Sequence, residues 1–169
     1  MDQSDLLIDA FGRLPQAVRH AVYGLDSRAL NHQPYPAGNS IAWLIWHLAR
    51  GEDSQIAPLA GQAQAWSAEG WYERVGLPVA VEDTGYGHTA EQVAAVRVQS
   101  AEVLLGYYEA VHSRTAALVS GLDSESLDQV VDQAWDPPVT LGVRLVSILA
   151  DGLEHVGQAA YLRGMLAET

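Results

Sequence analysis

A chain of 169 residues with 49% apolar composition is long enough for one domain with its own core and too apolar to stay disordered. Its formal net charge is −12, with nine arginines and no lysine; such a chain repels a phosphate backbone, and no basic cluster offsets the repulsion, which argues against nucleic-acid binding. Cysteine is absent, which removes disulfides, a cysteine nucleophile and cysteine-based metal sites, so any thiol chemistry must use a small-molecule thiol.

The start, "MDQSDLLIDAFGRL", has no basic segment followed by an apolar core, so a signal peptide is not expected. The apolar runs near Ile41 and Leu145 are interrupted by His, Arg, Asp and Glu, so neither is expected to span a membrane. These features describe a cytoplasmic protein with one domain over residues 1–169. The first helical pattern runs from about Ser4 to Leu25, with Leu7, Phe11, Leu14, Val18 and Val22 at three- and four-residue spacing. Pro15 inside it predicts a kink or a break. The loop "NHQPYPAGN" follows.

The second helix starts at "NSIAWLIWHLARGED", capped by Asn39 or Ser40, and is expected to reach about Leu59. A connection of about 28 residues then runs from Gly61 to His88, unusually long for a plain loop in a compact domain. Thr89 and Gln92 fit a capping box at the start of a third helix. Val93, Val96, Val103, Leu104, Tyr107 and Val111 form its stripe, and Gly121 suits its C-terminal cap. The segment "SLDQVVDQAWDPPVT" reads as loop with a small turn or strand. A fourth helix begins near Thr140 and runs to about Met165. Four long amphipathic helices without a strand series predict an all-α, four-helix bundle with long connections.

The fourth helix carries an unusual pair. At about 100° per residue, Asp151 and His155 share a stripe with Leu141, Arg144, Ile148, Ala159 and Leu162. A buried carboxylate is costly unless it is paired or bound to a cation. His47, on the second helix, shares an apolar stripe with Trp43, Leu44 and Gly51. If the two faces meet, His47, Asp151 and His155 converge as two nitrogens and one carboxylate oxygen. Zinc, iron and nickel all accept such donors. The spacing of Asp151 and His155 is equally compatible with a buried hydrogen bond.

The remaining histidines fit other roles. "EAVH", Glu109 to His112, has the spacing used in carboxylate-bridged di-metal bundles, but no second such motif exists. His88, in "TGYGHT", reads as a turn residue, with lining of a site entrance as the alternative. His20 and His32 read as surface or loop positions. Arg144 is expected to form a structural pair, and Glu154 to face solvent.

Together, "NSIAWLIWHLARGED", "TGYGHT", "VQSAEVLLGYYEAVH" and "VTLGVRLVSILADGLEHVGQAAYLRGML" resemble the DinB-like superfamily. They are most similar to its actinobacterial branch related to the N-terminal domain of mycothiol-dependent maleylpyruvate isomerase. The resemblance covers nearly the whole chain. It implies a four-helix bundle in which His47, Asp151 and His155 hold a divalent metal, with zinc favoured over nickel or iron. Many relatives have histidine at the position of Asp151, and the isomerase-like branch has glutamate, so aspartate departs from both.

The resemblance further implies a low-molecular-weight thiol of the mycothiol type as cosubstrate and a small electrophile as its acceptor. Thiol transfer or detoxification is expected rather than maleylpyruvate isomerisation, because the isomerase completes its active site with a C-terminal domain. Two other readings remain open. One is a non-catalytic metal-binding or stress-response homodimer, which the apolar residues Val146, Leu149 and Leu153 on the second side of the fourth helix would suit. The other is a metal-dependent hydrolase.

Overall fold

The computed structural model of the chain describes residues 2–166. The first predicted helix is present but broken, into α1 (Gln3–Gly12) and α2 (Leu14–Val22), with Arg13 shared between them. Pro15 sits in the first turn of α2, where its missing N–H removes no helical hydrogen bond. The short α3 (Ser27–Leu30) follows, and then the 19-residue α4 (Ile41–Leu59), capped by the Ser40 hydroxyl accepting from the Trp43 amide at 3.1 Å.

The long connection is not a plain loop. It contains α5 (Ala65–Ala68) and α6 (Trp71–Val75), and Trp66 is fully buried against Trp46 and Tyr107. Charged side chains of α4 hold it inward. Asp53 accepts the amides of Ala65 and Trp66, both at 2.9 Å, supplying from α4 the acceptor that the N-terminus of α5 needs. Its carboxylate also accepts from the Tyr107 hydroxyl at 2.9 Å. Arg50, with no solvent exposure, donates to the carbonyls of Val81 and Asp83 and to Gln64, and lies over the Trp66 ring.

The third predicted helix requires correction. The capping box of Thr89 and Gln92 is present, but it opens only α7 (Ala90–Ala95). The long helix α8 (Ala101–Ser120) starts afterwards, with Gly121 as its C-cap. Between them the chain is extended, because Asn31 clasps Val98: the Val98 amide donates to Asn31 Oδ1 at 2.9 Å, and Asn31 Nδ2 donates to the Val98 carbonyl at 2.8 Å. Val96 and Val98 are buried while Arg97 and Gln99 are exposed, the alternation of a strand-like segment.

A short α9 (Ser124–Leu127) precedes the antiparallel pair β1 (Val130–Asp132) and β2 (Val139–Thr140), which leads directly into the 26-residue α10 (Leu141–Leu166). The architecture is mainly helical, as expected. In the bundle α4 packs against both α8 and α10, α2 against α10, and α1 against α8. None of the described helices is long and apolar enough to cross a membrane.

Two consequences concern the charges buried in α4. Removing the Asp53 carboxylate takes away the anion 3.7 Å from the buried Arg50 guanidinium. Asp53→Ala is expected to lower unfolding free energy by about 3–5 kcal/mol in denaturant titrations. Glu52 is buried against the Thr115 hydroxyl, and burial pushes its carboxyl up to about 7. A carboxyl whose pKa is raised on folding makes the native state bind more protons than the unfolded chain. Its effect is absent below the ordinary value of 4.5, grows as a loss of stability as pH rises to about 7, and is constant above that. Glu52→Gln should therefore be more stable than wild type at pH 8, by on the order of 3 kcal/mol, and equal to it at pH 4. A constant difference at both pH values would contradict this.

Candidate metal centre

α4 and α10 run antiparallel and meet along much of their length, which brings Gly51 opposite the Asp151 carboxylate and Gln55 opposite Arg144. The two stripes read from the sequence therefore do face each other. His47, Asp151 and His155 each offer a donor atom, and these atoms lie within 4.8 Å of one another. The two imidazole rings are 4.7 Å apart, nearly edge to face. Among the described residues this is the group of histidine and acidic side chains close enough to share one ion.

The ring nitrogens are differentiated. His47 Nδ1 lies 2.5 Å from the carbonyl oxygen of Thr84, and His155 Nδ1 lies 2.7 Å from the carbonyl oxygen of Asp151. A carbonyl only accepts, so each Nδ1 carries a proton; in the neutral ring this leaves the lone pair on Nε2, as a metal-binding imidazole requires. The donor set fits a divalent ion: two imidazoles and one carboxylate, with carbonyls orienting both rings. Burial lowers the pKa of His47, and nearby His155 and His88 add to this, against the opposing effects of the Thr84 hydrogen bond and Asp151. His47 therefore offers its lone pair at neutral pH without first losing a proton.

The site lies at the margin of the buried face of α10 rather than within it. The Asp151 side chain is 45% exposed and that of His155 15%. The inward positions are Leu145, Ile148, Gly152, Val156 and Ala159. The open side is thus that of Asp151, while Trp43 stacks on the His47 ring at 4.6 Å and 17° and closes the other side.

The other sequence candidates fall elsewhere. Arg144 has a structural role, and the acid it pairs with is Asp132, at 2.7 Å, with Gln55 at 3.1 Å as a second partner. Glu109 turns outward to Arg19, and His112 stacks on Tyr108, so "EAVH" does not assemble a metal group. Glu154 is exposed, as are His20 and His32. His88 is not a simple turn residue: its side chain is 4% exposed and bonds to Asp83 and Trp43. Asp83 itself was not legible as a site-neighbouring residue. Burial alone would raise its carboxyl, but the hydrogen bonds from His88 and Gly85 and the nearby charges hold it below the usual range.

Gly85 is required where it stands. Its φ is +88°, and a Cβ there would sit 2.9 Å from both His47 Nδ1 and the Trp46 ring. The loop backbone therefore lies directly on the ring edge of His47.

A helical bundle that gathers two imidazoles and a carboxylate between its α4 and α10 helices is a DinB-like bundle. More specifically, the chain belongs to the mycothiol-S-transferase family, which it matches over residues 6–168. A solved structure described as the conserved protein of locus from Enterococcus faecalis is similar throughout. Its TM-score is 0.92 at 31% sequence identity, and the match covers 100% of this chain and 99% of that one. A search of curated proteins finds no match.

Gly85→Ala combines a disfavoured backbone with a side chain that has no room. It is expected to cost about 1–3 kcal/mol of stability and to displace the His47 ring. Thermal unfolding, with the His47 ring resonances in NMR spectra, checks both effects; an unshifted His47 signal would contradict the close packing of this loop.

Proposed function

We propose that the chain is a one-domain, divalent-metal-dependent S-transferase that joins a small-molecule thiol of the mycothiol type to a small electrophile. The observation that carries the reading is the convergence of His47, Asp151 and His155 in a chain whose family is that of the mycothiol S-transferases. His47 and His155 would hold the ion through Nε2 and Asp151 through a carboxylate oxygen. Zinc suits this borderline donor set, and nickel and iron accept it too. The ion would supply Lewis acidity that favours the deprotonated form of a thiol near neutral pH.

The chain's own residues define the rest. One carboxylate against a dication leaves a site of net positive charge, which attracts a thiolate in spite of the acidic surface. The half-exposed Asp151 marks the side by which small molecules enter, and Trp43 keeps water from the far side of His47. With no cysteine in the chain, the attacking sulfur belongs to the cosubstrate. A new sulfur–carbon bond forms as the electrophile's leaving group departs with its bonding electrons. A reduced thiol pool is a property of the cytoplasm, which supports that location. Val143, Val146 and Leu153 of α10 are exposed, and this apolar strip supports a homodimer as the working form.

Metal analysis tests the reading. Wild-type protein loaded with zinc should retain about one ion per chain, as expected of a three-residue catalytic site. His155→Ala should lose most of it, and thiol transfer to a small electrophile should fall in parallel. Equal, substoichiometric metal in both proteins would sink the site. Metal-dependent hydrolysis without added thiol would favour a hydrolase instead. Retained metal with no transfer from any cellular thiol would favour the non-catalytic module.

A further inference from the structure

We propose that Asp83 and His88 are positioning residues for His47: together they clamp its ring in one tautomer and one orientation. The inference rests on the metal reading of His47, and it concerns residues outside the group of three.

Two separate contacts hold the His47 imidazole, and both lead back to the same carboxylate. The first is the Thr84 carbonyl at Nδ1. Asp83 Oδ1 accepts the Gly85 amide at 2.8 Å, a tight turn by which an aspartate side chain bonds the backbone two residues on. That turn, with the Asp83 carbonyl held by Arg50 at 3.0 Å, sets the direction of the intervening Thr84 carbonyl.

The second contact is the Trp43 ring stacked on His47. Trp43 Nε1 lies 3.2 Å from His88 Nδ1. An indole N–H can only donate, so His88 Nδ1 is the acceptor and the His88 proton is on Nε2. Nε2 in turn lies 3.0 Å from both oxygens of Asp83. The path Asp83 to His88 to Trp43 thus ends on the face of the ring whose edge Thr84 holds.

Burial makes this arrangement a constraint rather than a surface coincidence. His88 is nearly inaccessible and Trp43 is buried. Both ring nitrogens of His88 are occupied by protein partners, so it is not itself a ligand to an ion. The phenomenon has a general counterpart, in which groups that orient a ligand side chain alter metal affinity by about 10–100-fold. Removing His88 leaves the indole N–H of Trp43 and one face of Asp83 without partners, and the ring of His47 gains freedom.

The test uses the full chain. In the metal-free protein, nitrogen–proton correlation NMR should show His47 as a single tautomer protonated on Nδ1. In His88→Leu the signals should report a mixture of tautomers, and zinc affinity by chelator competition should fall by about 10–100-fold. His88→Gln, which keeps one acceptor and one donor, should recover most of that loss. Trp43→Phe, which keeps a ring on His47 but removes the N–H that engages His88, serves if His88→Leu fails to fold; it should also weaken zinc binding. Wild-type zinc affinity and an unchanged Nδ1-protonated His47 in either folded variant would overturn the proposal. Failure of the metal reading itself looks different: His47→Ala would then bind zinc as wild type does, and the tautomer measurement alone would decide whether the clamp holds the ring.

Discussion

The buried guanidinium of Arg50 is the constraint on which the candidate site depends. A fully desolvated charge is tolerated only when its donors are engaged and an anion is near. Arg50 meets this by reaching Gln64, the Val81 and Asp83 carbonyls and the Asp53 carboxylate. Three of these partners, Gln64, Val81 and Asp83, belong to the connection between α4 and α7. The connection is therefore drawn onto α4 by the solvation needs of one α4 side chain. Thr84 follows Asp83 immediately, so the segment that satisfies Arg50 is the segment that orients His47. Stability and site geometry share one set of hydrogen bonds.

The site is asymmetric as a result. His47 is held by a carbonyl, a stacked indole and a loop whose glycine leaves no space beside the ring. Asp151 and His155 instead ride together on one rigid helix, four residues apart, with the acid half in solvent. The arrangement is open on the Asp151 side and walled by the Trp43 ring on the other. The buried half fixes the His47 ring, and the other half leaves Asp151 open to solvent.

Much of this could be read from the sequence, and the failures have definite causes. The i, i+4 spacing of Asp151 and His155, the apolar stripe around His47, the break at Pro15 and the capping box at Thr89 all depend on residues near in the chain. The interruption at Val96–Ser100 depends on Asn31, 67 residues before Val98, and valines at mixed spacing fit a helical stripe as well as an extended one. Arg50, Glu52 and Asp53 look like the solvated side of an amphipathic helix, because charged residues are rarely buried without partners. Their partners lie on the connection and on α8, beyond any local pattern. The burial of the His88 side chain is hidden for the same reason: a glycine-flanked histidine suggests a turn, which is present, but its ring is covered through contact with Trp43 of α4.

Asp151 sits where α10 passes close to both α4 and α2. Gly51 faces it from α4, and a Cβ there would lie 3.7 Å from Asp151 Oδ2, at ordinary contact distance. The next residue, Gly152, faces α2, and a Cβ there would come within 3.2 Å of Leu14. Consecutive helical residues point about 100° apart. One glycine thus lets α10 approach α2 closely while its neighbour directs a short acid toward α4. Arg144 bonding Gln55 two turns earlier fixes the same rotation from the α4 side. The position of the Asp151 carboxylate relative to His47 thus depends on how α10 packs between α2 and α4.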